Sequence, residues 1–344
     1  MQTETILISS PLEAEHVERI RALAPDRVEV LYEPDLLPPV RYRNDHKGAP
    51  LARTAEQRAR WQAMARRATI SWDIPAAADL EIMAKLRWIQ ATSTGIGQHA
   101  KQLGLEGREI LVTTARGVHA RPLAEFTFMA LLAHWRGLAH LQAEQQAHRW
   151  LRYCADEVAG RTLVILGAGD LARGAARIAK ALDMHVVAVA RDPAKSRDHA
   201  ALFDEVLPTS ALHAALGRAD ALLLTVPHTP ETERMIDAAA LAALRPGAAF
   251  VNIARGQIVD EAALIAALRS GHVGFAALDV AEVEPLPPDS PLWDMPNVLI
   301  SPHSASTAPS ENQRITDIFL HNLRCWLDGR PGGMRNVLDK QRMY

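Results

Sequence analysis

The sequence predicts an α/β protein of two domains, each built on a parallel sheet. Short β-rich runs alternate with helical stretches along most of the 344 residues, and this alternation is typical of parallel strands covered by helices. The runs fall into two successive series, and a glycine-rich turn at 167–169 opens only the second series. A chain of this length also suits roughly two domains.

The first series occupies the N-terminal third of the chain. Its predicted strands lie at 5–9, 28–32, 69–72, 87–92 and 109–114, with helices near 12–23, 54–67, 77–86 and 97–103. A charged, proline-rich segment, 33–54, interrupts the alternation. We interpret this segment as a long loop on the surface of the first domain.

The second series follows a long helical pattern at 121–150, which has proline in its first turn. Its strands are near-continuous apolar runs, as expected where helices cover both faces of a sheet. They are predicted at 162–167, 185–190, 221–226, 248–254, 274–280 and 297–302. A helix at 309–327 closes the predicted fold.

The composition excludes several functional classes. The net charge is −2, which indicates no basic surface for nucleic acid, and no apolar run approaches the ~20 residues of a membrane span. The N-terminus has no basic region followed by an apolar one, so no signal peptide is predicted. Cys154 and Cys325 give neither metal-ligand spacing nor a disulfide framework. We expect a cytoplasmic protein with no metal site, no nucleic-acid partner and no membrane attachment.

The stretch VILGAGDLARGAARIAK predicts a dinucleotide-binding turn. Gly167, Gly169 and Ala172 match G-x-G-x-x-G/A between a strand and a helix. The first glycine permits the tight turn, and the second lets the backbone approach a pyrophosphate. The small third residue lets the helix pack on the strand, so that the helix N-terminus faces the phosphate charge. Asp170 and Leu171 complete this candidate cofactor site, and the domain is expected to be Rossmann-like.

The end of the next strand bears on cofactor choice. NAD-specific turns carry an acid about 20 residues further on, which holds the ribose 2′-OH. Here Ala190 occupies that position and Arg191 follows it. An arginine fork binds a phosphate that a carboxylate would repel, so the sequence favours NADP(H) over NAD(H), with Lys195 and Arg197 adding positive charge. The alternative is that Asp192 holds the ribose and Arg191 is a solvated surface residue.

Ionisable residues follow three later strands of the second series. Arg255 follows one strand, Asp279 with Glu282 and Glu284 ends or follows the next, and His303 follows the last. Ligands of open parallel sheets bind beyond the carboxyl ends of the strands. A lone arginine or histidine is usually structural, but an arginine, an acid cluster and a histidine at one edge predict a catalytic site.

Four segments here resemble, in order and spacing, the D-isomer-specific 2-hydroxyacid dehydrogenase family: TVPHTPETERMI, LRPGAAFVNIARGQIVDEAAL, ALDVAEVEPLPPDSPLW and PNVLISPHSA. GVHARPLAEFTFMALL and GRTLVILGAGDLA fit the same family upstream. The resemblance implies a discontinuous substrate domain, 1–115 with 309–344, and a dinucleotide-binding Rossmann domain, 116–308. It also implies a cleft between these Rossmann-like or flavodoxin-like domains, where the substrate would bind.

The resemblance further implies catalytic roles. Arg255 would bind the substrate carboxylate and polarise the 2-oxo group, while His303 would protonate the carbonyl oxygen as hydride arrives from the nicotinamide. Glu284 would pair with His303, and a nearby carboxylate favours the imidazolium form. Asp279 would hydrogen-bond the nicotinamide amide. Glu282 has no implied role, and we interpret it as a solvated loop charge.

Further binding residues are implied in both domains. In the first, backbone N–H groups of Thr94 and Gly95 would cradle the substrate carboxylate. The alternative for this pair is an ordinary strand-to-helix turn. In the second, the cofactor contacts implied are Val226, Pro227, Thr232, Ile253 and Ala254.

The helical stretch at 121–150 contains Trp135 and Trp150. In the family this region embraces a partner subunit, so a homodimer is expected, with a tryptophan reaching towards the neighbour. The alternative is that both tryptophans pack in the core.

The combined prediction is an NADP-leaning reductase of a small 2-oxo acid, of the glyoxylate/hydroxypyruvate type. One alternative is a D-3-phosphoglycerate-type dehydrogenase, which usually carries an extra regulatory domain and an NAD-type acid. The other is a non-catalytic, dinucleotide-sensing scaffold of the same fold. The complete Arg–Glu–His set argues against the scaffold.

Overall fold

The computed structural model describes residues 3–194 and 201–341. The chain divides into two compact units: unit 1 comprises Met1–Val118 with Thr307–Tyr344, and unit 2 comprises His119–Ser306. Unit 1 is therefore assembled from both ends of the chain. Lys195 and Arg197 lie outside the described residues.

Unit 1 is a parallel sheet with helices. Within its described part the strand order is β2-β1-β3-β4-β5, the order of flavodoxin-like sheets. The strands are β1 (Glu4–Ile8), β2 (Val28–Leu31), β3 (Ile70–Trp72), β4 (Trp88–Gln90) and β5 (Leu111–Thr113). The helices are α1 (Ala14–Leu23), α2 (Ala55–Arg67), α3 (Ala77–Leu80), α4 (Gly97–Gln102) and, from the C-terminal segment, α11 (Glu311–Leu327).

The C-terminal helix belongs to unit 1 because it covers that unit's aromatic core. Phe319 of α11 stacks on Trp88 with ring centroids 5.0 Å apart and meets Trp72 edge-on at 5.5 Å. All three side chains are fully buried. Burial of large aromatic surfaces is the main stabilising contribution in such a core.

The segment at 33–54 is a loop, as predicted, but a buried carboxylate organises it. Asp45 is only 1% exposed and accepts hydrogen bonds from Arg41 Nε (2.7 Å) and Nη2 (2.9 Å) and from the Gly48 backbone N–H (3.0 Å). The Arg41 guanidinium holds the pKa of Asp45 well below its usual range. Next to it, His46 Nε2 lies 3.3 Å from Glu311 Oε1, which joins the loop to the start of α11.

Unit 2 is a second parallel sheet. Over its described residues the order is β12-β11-β10-β9-β6-β7-β8, the Rossmann arrangement with one added strand. The strands are β6 (Thr162–Leu166), β7 (His185–Ala190), β8 (Glu205–Pro208), β9 (Ala221–Leu224), β10 (Ala248–Asn252), β11 (Val273–Leu278) and β12 (Val298–Ile300). The helices are α5 (Ala120–Trp135), α6 (Leu138–Gln146), α7 (Asp170–Ala181), α8 (Leu212–Leu216), α9 (Ala238–Ala242) and α10 (Glu261–Arg269).

Two elements of unit 2 differ from the prediction. The helix expected at 121–150 is two helices, because Gly137 between them has a left-handed φ of 69°. Trp135 is buried in α5, whereas Trp150 is 98% exposed, so core packing explains only the first tryptophan. Strand β8 was not predicted, since it is short, half-exposed and ends in proline, which an edge strand tolerates. Among the described residues, no helix is long and apolar enough to cross a membrane.

Candidate active site

The glycine turn lies where the strand order of unit 2 reverses. Gly167 follows β6 with φ +114°, and its N–H donates to Val189 O at 2.8 Å. A Cβ on Gly167 would lie 2.4 Å from Thr225 Oγ1, beyond the end of neighbouring β9. Only glycine allows this approach of two strand ends, which is where open α/β sheets bind ligands.

The residues that follow fit a dinucleotide pyrophosphate. Gly169 is the N-cap of α7, and no described protein atom lies within 4 Å of the position a Cβ would take there. Ala172 is fully buried, so the helix packs closely on the sheet. Asp170 in the first turn is neutralised by an ion pair with Arg173. Backbone N–H groups at a helix N-terminus attract phosphate, and Leu171, half-buried beside them, adds apolar contact.

The end of β7 carries the charges relevant to cofactor choice. Arg191 is exposed immediately beyond the strand. The Asp192 carboxylate accepts the Ala194 N–H at 3.2 Å, so it caps its own turn. Hydrogen bonds, first from the Thr229 side chain, lower the pKa of exposed Glu231, and the Arg191 charge lowers it further. Arg191 is therefore electrostatically coupled to the loop after β9.

The loop after β9 is shaped by Thr232. Its Oγ1 accepts the Thr229 N–H at 2.8 Å and donates to Pro227 O at 2.7 Å. Val226 is half-buried and Pro227 is exposed. The hydroxyl of Thr232 thus closes a compact loop beside the glycine turn.

Arg255 lies in a turn whose conformation is fixed by side-chain hydrogen bonds of Asn252, the last residue of β10. The Asn252 side chain accepts the Ala254 N–H and donates to Arg255 O, both at 3.0 Å. Ile253 and Ala254 are buried, and Arg255 Nη1 donates to Ala254 O at 2.6 Å. These hydrogen bonds therefore fix the main chain at 252–255, from which the Arg255 side chain extends.

Charges converge around this guanidinium. Burial lowers the pKa of Arg255, while the charges of Glu284 and Asp279 oppose that effect. Asp279 is 2% exposed, and burial raises the pKa of its carboxyl despite hydrogen bonds from Ser301 and the following turn. The side chains predicted at three strand ends thus form one electrostatic cluster.

The Glu284–His303 pair is formed. His303 Nδ1 lies 2.8 Å from Glu284 Oε2, and the side chains are 43% and 38% exposed, respectively. Burial opposes ionisation of Glu284, but the hydrogen bond and charge of His303 outweigh it, so the pKa of Glu284 lies below its ordinary value. One imidazole nitrogen is thereby committed to the carboxylate, and the ring remains accessible.

Glu282, which we interpreted as a solvated charge, instead makes three hydrogen bonds that connect its loop to neighbouring segments. Its carboxylate pairs with Arg234 Nη2 at 2.9 Å, its carbonyl accepts Gln257 Nε2 at 2.7 Å, and its N–H donates to Glu261 at 3.0 Å. A Cβ on Gly256 would lie 1.9 Å from Ala281 O. The loops that carry Arg255 and Glu284 are therefore in direct contact.

Thr94 and Gly95 belong to unit 1. Both are exposed on the turn between β4 and α4, which is the ordinary strand-to-helix position. Their proposed contact with substrate is a prediction.

Comparison with known proteins identifies the family. Residues 128–305, about half of the chain, match the family profile described as D-isomer specific 2-hydroxyacid dehydrogenase, NAD binding domain. The chain belongs to the D-isomer specific 2-hydroxyacid dehydrogenase family. This confirms the resemblance found in the sequence, and it makes unit 2 an NAD-binding domain of that family.

Individual relatives agree with this assignment. The chain is 39% identical over 228 residues to D-3-phosphoglycerate dehydrogenase of Mycobacterium leprae, an alignment covering 63% of this chain and 42% of that protein. A D-isomer specific 2-hydroxyacid dehydrogenase family protein from Aeromonas salmonicida superimposes with a TM-score of 0.80 at 28% identity, covering 98% of this chain and 100% of that one. The NADPH-dependent glyoxylate/hydroxypyruvate reductase of Sinorhizobium meliloti, solved with NADP and sulfate, gives 0.77 at 25%, covering 99% and 100%. The two-sheet α/β fold is confirmed.

Sequence reasoning missed the residues that support this candidate site. Ser301, Arg234, Gln257 and Glu261 contact the predicted residues without being predicted themselves. Only Ser301 had a usable signal, because it directly precedes the Pro-His pair after a parallel strand. All four contacts join residues more than twenty positions apart, which residue spacing alone does not indicate.

Proposed function

We propose that the protein is an NAD(P)-dependent oxidoreductase that reduces a small 2-oxo acid to a D-2-hydroxy acid. The observation that carries the proposal is the Glu284–His303 pair, 2.8 Å apart, coupled to Arg255 in the domain whose glycine turn fits a dinucleotide. Membership of the dehydrogenase family supports it. The structural support for the individual roles is the placement of these side chains together at strand ends.

In the proposed mechanism, each of these side chains has a separate role. When bound, a nicotinamide cofactor would supply the hydride that the carbonyl carbon of the substrate receives. Arg255 binds the substrate carboxylate and polarises the 2-oxo group, and its burial strengthens that attraction. His303 Nδ1 is held by Glu284, so Nε2 donates the proton to the carbonyl oxygen. Glu284 fixes the orientation of the imidazole, and such acid–base catalysis contributes roughly 10²–10⁴-fold. Thr94 and Gly95 are proposed as further substrate ligands.

The substrate proposed is glyoxylate or hydroxypyruvate. The support is the full-length structural similarity to the Sinorhizobium meliloti reductase. A D-3-phosphoglycerate-type activity is the second candidate, favoured by the 39% identity to the Mycobacterium leprae enzyme. The third candidate function, a non-catalytic scaffold, would not require the Glu284–His303 pair, so the presence of the pair argues against it.

A substrate panel separates these candidates. Purified protein is assayed for oxidation of NADPH and NADH with glyoxylate, hydroxypyruvate, pyruvate, phenylpyruvate, 2-ketogluconate and 3-phosphohydroxypyruvate. We expect the highest kcat/KM with glyoxylate or hydroxypyruvate. A preference for the phosphorylated acid would support the second candidate. Tight cofactor binding without turnover on any acid would contradict the enzymatic proposal.

The cofactor proposed is NADP(H) in preference to NAD(H). Arg191 beyond β7 supports it, because the Asp192 carboxylate already caps its own turn. We expect Arg191→Ala to reduce the NADPH-to-NADH ratio of kcat/KM by about 10–100-fold, the value of one charge-assisted phosphate contact. Arg218→Ala is the matched control, since Arg218 pairs with Glu205, the first residue of β8, at the opposite end of the strands from Arg191. A wild-type ratio below one would overturn this assignment, and Asp192→Ala would then be the variant to test.

A homodimer in the cytoplasm completes the proposal. Apolar side chains on and after α6 are exposed: Leu138, Leu141, Trp150 and Leu151. Exposed apolar patches of this kind often mark interfaces. Sedimentation equilibrium of the wild type and of Trp150→Glu tests it, with a dimer weakened by the substitution as the expected result. A monomeric wild type would refute it.

A further inference from the structure

The turn that carries His303 is folded around one buried carboxylate oxygen. Asp279 Oδ1 accepts the Ser301 hydroxyl at 2.7 Å and the backbone N–H groups of Ser304 and Ala305 at 2.9 Å each. The His303 N–H donates to Asp279 O at 2.8 Å. Both ends of the turn, and the residue between them, are therefore attached to Asp279.

Strand register brings these groups together. Leu278 of β11 pairs with Ile300 of β12, and the Ser301 N–H donates to Leu278 O at 2.8 Å, which extends the ladder by one residue. Asp279 and Ser301 consequently leave the two strands side by side. Parallel strands place such successive residues at the same carboxyl edge.

The backbone of His303 requires this support. Its φ is +53°, a left-handed conformation that costs free energy in a residue with a Cβ. Such a conformation persists only where the surrounding contacts fix it. Here the contacts come from Asp279 and from Ser301 O, which also accepts the His303 N–H at 2.9 Å. The conformation directs the imidazole towards Glu284, 2.8 Å away.

We propose that Asp279 and Ser301 are positioning residues for His303, with the Ser301 hydroxyl holding the carboxylate that shapes the turn. This role differs from the contact with the nicotinamide amide expected of Asp279. Among the described residues the hydrogen bonds to the Asp279 side chain fall on Oδ1, so Oδ2 would be the oxygen that makes the contact expected with the nicotinamide amide. The inference rests on the proposed dehydrogenase activity for its kinetic consequence only.

Substitution of Ser301 tests the inference, because Ser301 acts through Asp279. We expect Ser301→Ala to lower kcat about 3- to 30-fold, the effect of loosening one charge-assisted hydrogen bond, while the KM for cofactor stays within about twofold. Ser301→Thr keeps a hydroxyl and is expected to retain most of kcat. Ser270→Ala is the matched control, since it deletes a hydroxyl that donates to Ala267 O at 2.9 Å at the end of α10.

A spectroscopic readout separates positioning from general loss of structure. Nitrogen-15 NMR of labelled histidine, assigned with His303→Ala, reports the Nδ1 hydrogen bond of His303 without substrate or cofactor. We expect Ser301→Ala to shift or broaden that signal, and Ser301→Thr and Ser270→Ala to preserve it. Wild-type kcat with an unchanged signal in Ser301→Ala would overturn the inference, as would equal losses in the alanine and threonine variants. If wild-type protein turns over no acid, the proposed function fails, and the NMR comparison still decides the inference.

Discussion

Each unit contains a histidine paired with a glutamate on a turn organised by a buried aspartate. In unit 1, His46 lies 3.3 Å from Glu311, and the side chains are 13% and 8% exposed. In unit 2, His303 lies 2.8 Å from Glu284, and the side chains are 43% and 38% exposed. The pairing itself is common to both, so pairing alone does not distinguish the proposed active site. We base that proposal on the accessibility of the His303 imidazole and on the electrostatic coupling of Arg255 to Glu284.

The two aspartates differ in the kind of donor that surrounds them. Asp45 is held by a cation, Arg41, so its pKa falls well below the usual range. The donors to Asp279 are a hydroxyl and two amides, so burial prevails and its pKa is raised. A carboxylate neutralised by its own loop acts as a structural anchor. The Asp279 carboxylate is instead held by neutral donors, so burial makes its charged form less favourable.

The largest expected difference between the two pairs is in turnover. His303→Ala is expected to reduce kcat/KM about 10²–10⁴-fold, because it deletes the proposed proton donor. His46→Ala is expected to change it by no more than about threefold. Steady-state kinetics with NADPH and the best acid of the panel measure both variants. Comparable losses in the two would mean that the accessible pair has no special role.

For the free energy of unfolding we expect the reverse order, with the larger loss in His46→Ala than in His303→Ala. His46→Ala removes a contact with the buried Glu311 carboxylate and is expected to lower the free energy of unfolding by about 1–3 kcal/mol. His303→Ala breaks a partly exposed pair, which is worth about 0–1 kcal/mol. Urea denaturation followed by tryptophan fluorescence measures both. A more stable His46→Ala variant would show that the buried pair is not an anchor.

The smallest expected effect is in the acid dependence of stability, where Asp45 and Asp279 should make contributions of opposite sign to the free energy of unfolding as the pH falls. The lowered pKa of Asp45 stabilises the folded state above the ordinary carboxyl pKa of about 3.9, and this contribution is lost as the pH falls through the folded pKa. The raised pKa of Asp279 acts oppositely, since the folded state binds the proton more readily.

Thermal unfolding of Asp45→Asn and Asp279→Asn between neutral pH and pH of about 3 measures this contrast. The midpoint difference between wild type and Asp45→Asn, about 2–4 °C at neutral pH, should shrink below a pH of about 4. The difference between wild type and Asp279→Asn should change in favour of the wild type as the pH falls towards about 4. Parallel pH trends in the two variants would refute the distinction.

Sequence reasoning predicted those parts of the molecule that follow from local pattern. Strand β7 was predicted with its observed bounds because its apolar run has clear limits, and Arg255, Glu284 and His303 were found because they follow strands of one sheet. Gly137 was not recognised as a break, since a glycine inside a helical pattern costs only about 1 kcal/mol and is often tolerated. The family motifs added the roles that spacing alone leaves open.

The remaining features depend on contacts between distant parts of the chain. His46 and Glu311 are 265 positions apart, and nothing near either residue indicates its partner. The anchoring of Asp45 by Arg41 is local in sequence, but the burial of that carboxylate depends on the surrounding unit. The same holds for Arg234 and Glu282, 48 positions apart, whose pairing requires the loops after β9 and β11 to meet.

The assembly of unit 1 from both chain ends has a consequence for biosynthesis. Unit 2 is one continuous stretch, so it can fold as soon as Ser306 has left the ribosome, since domains generally fold as units during synthesis. Trp72 and Trp88 emerge far earlier but gain their Phe319 neighbour only when α11 is released. Unit 1 is thus begun before unit 2 but completed after it, because its aromatic core lacks Phe319 until α11 has been synthesised.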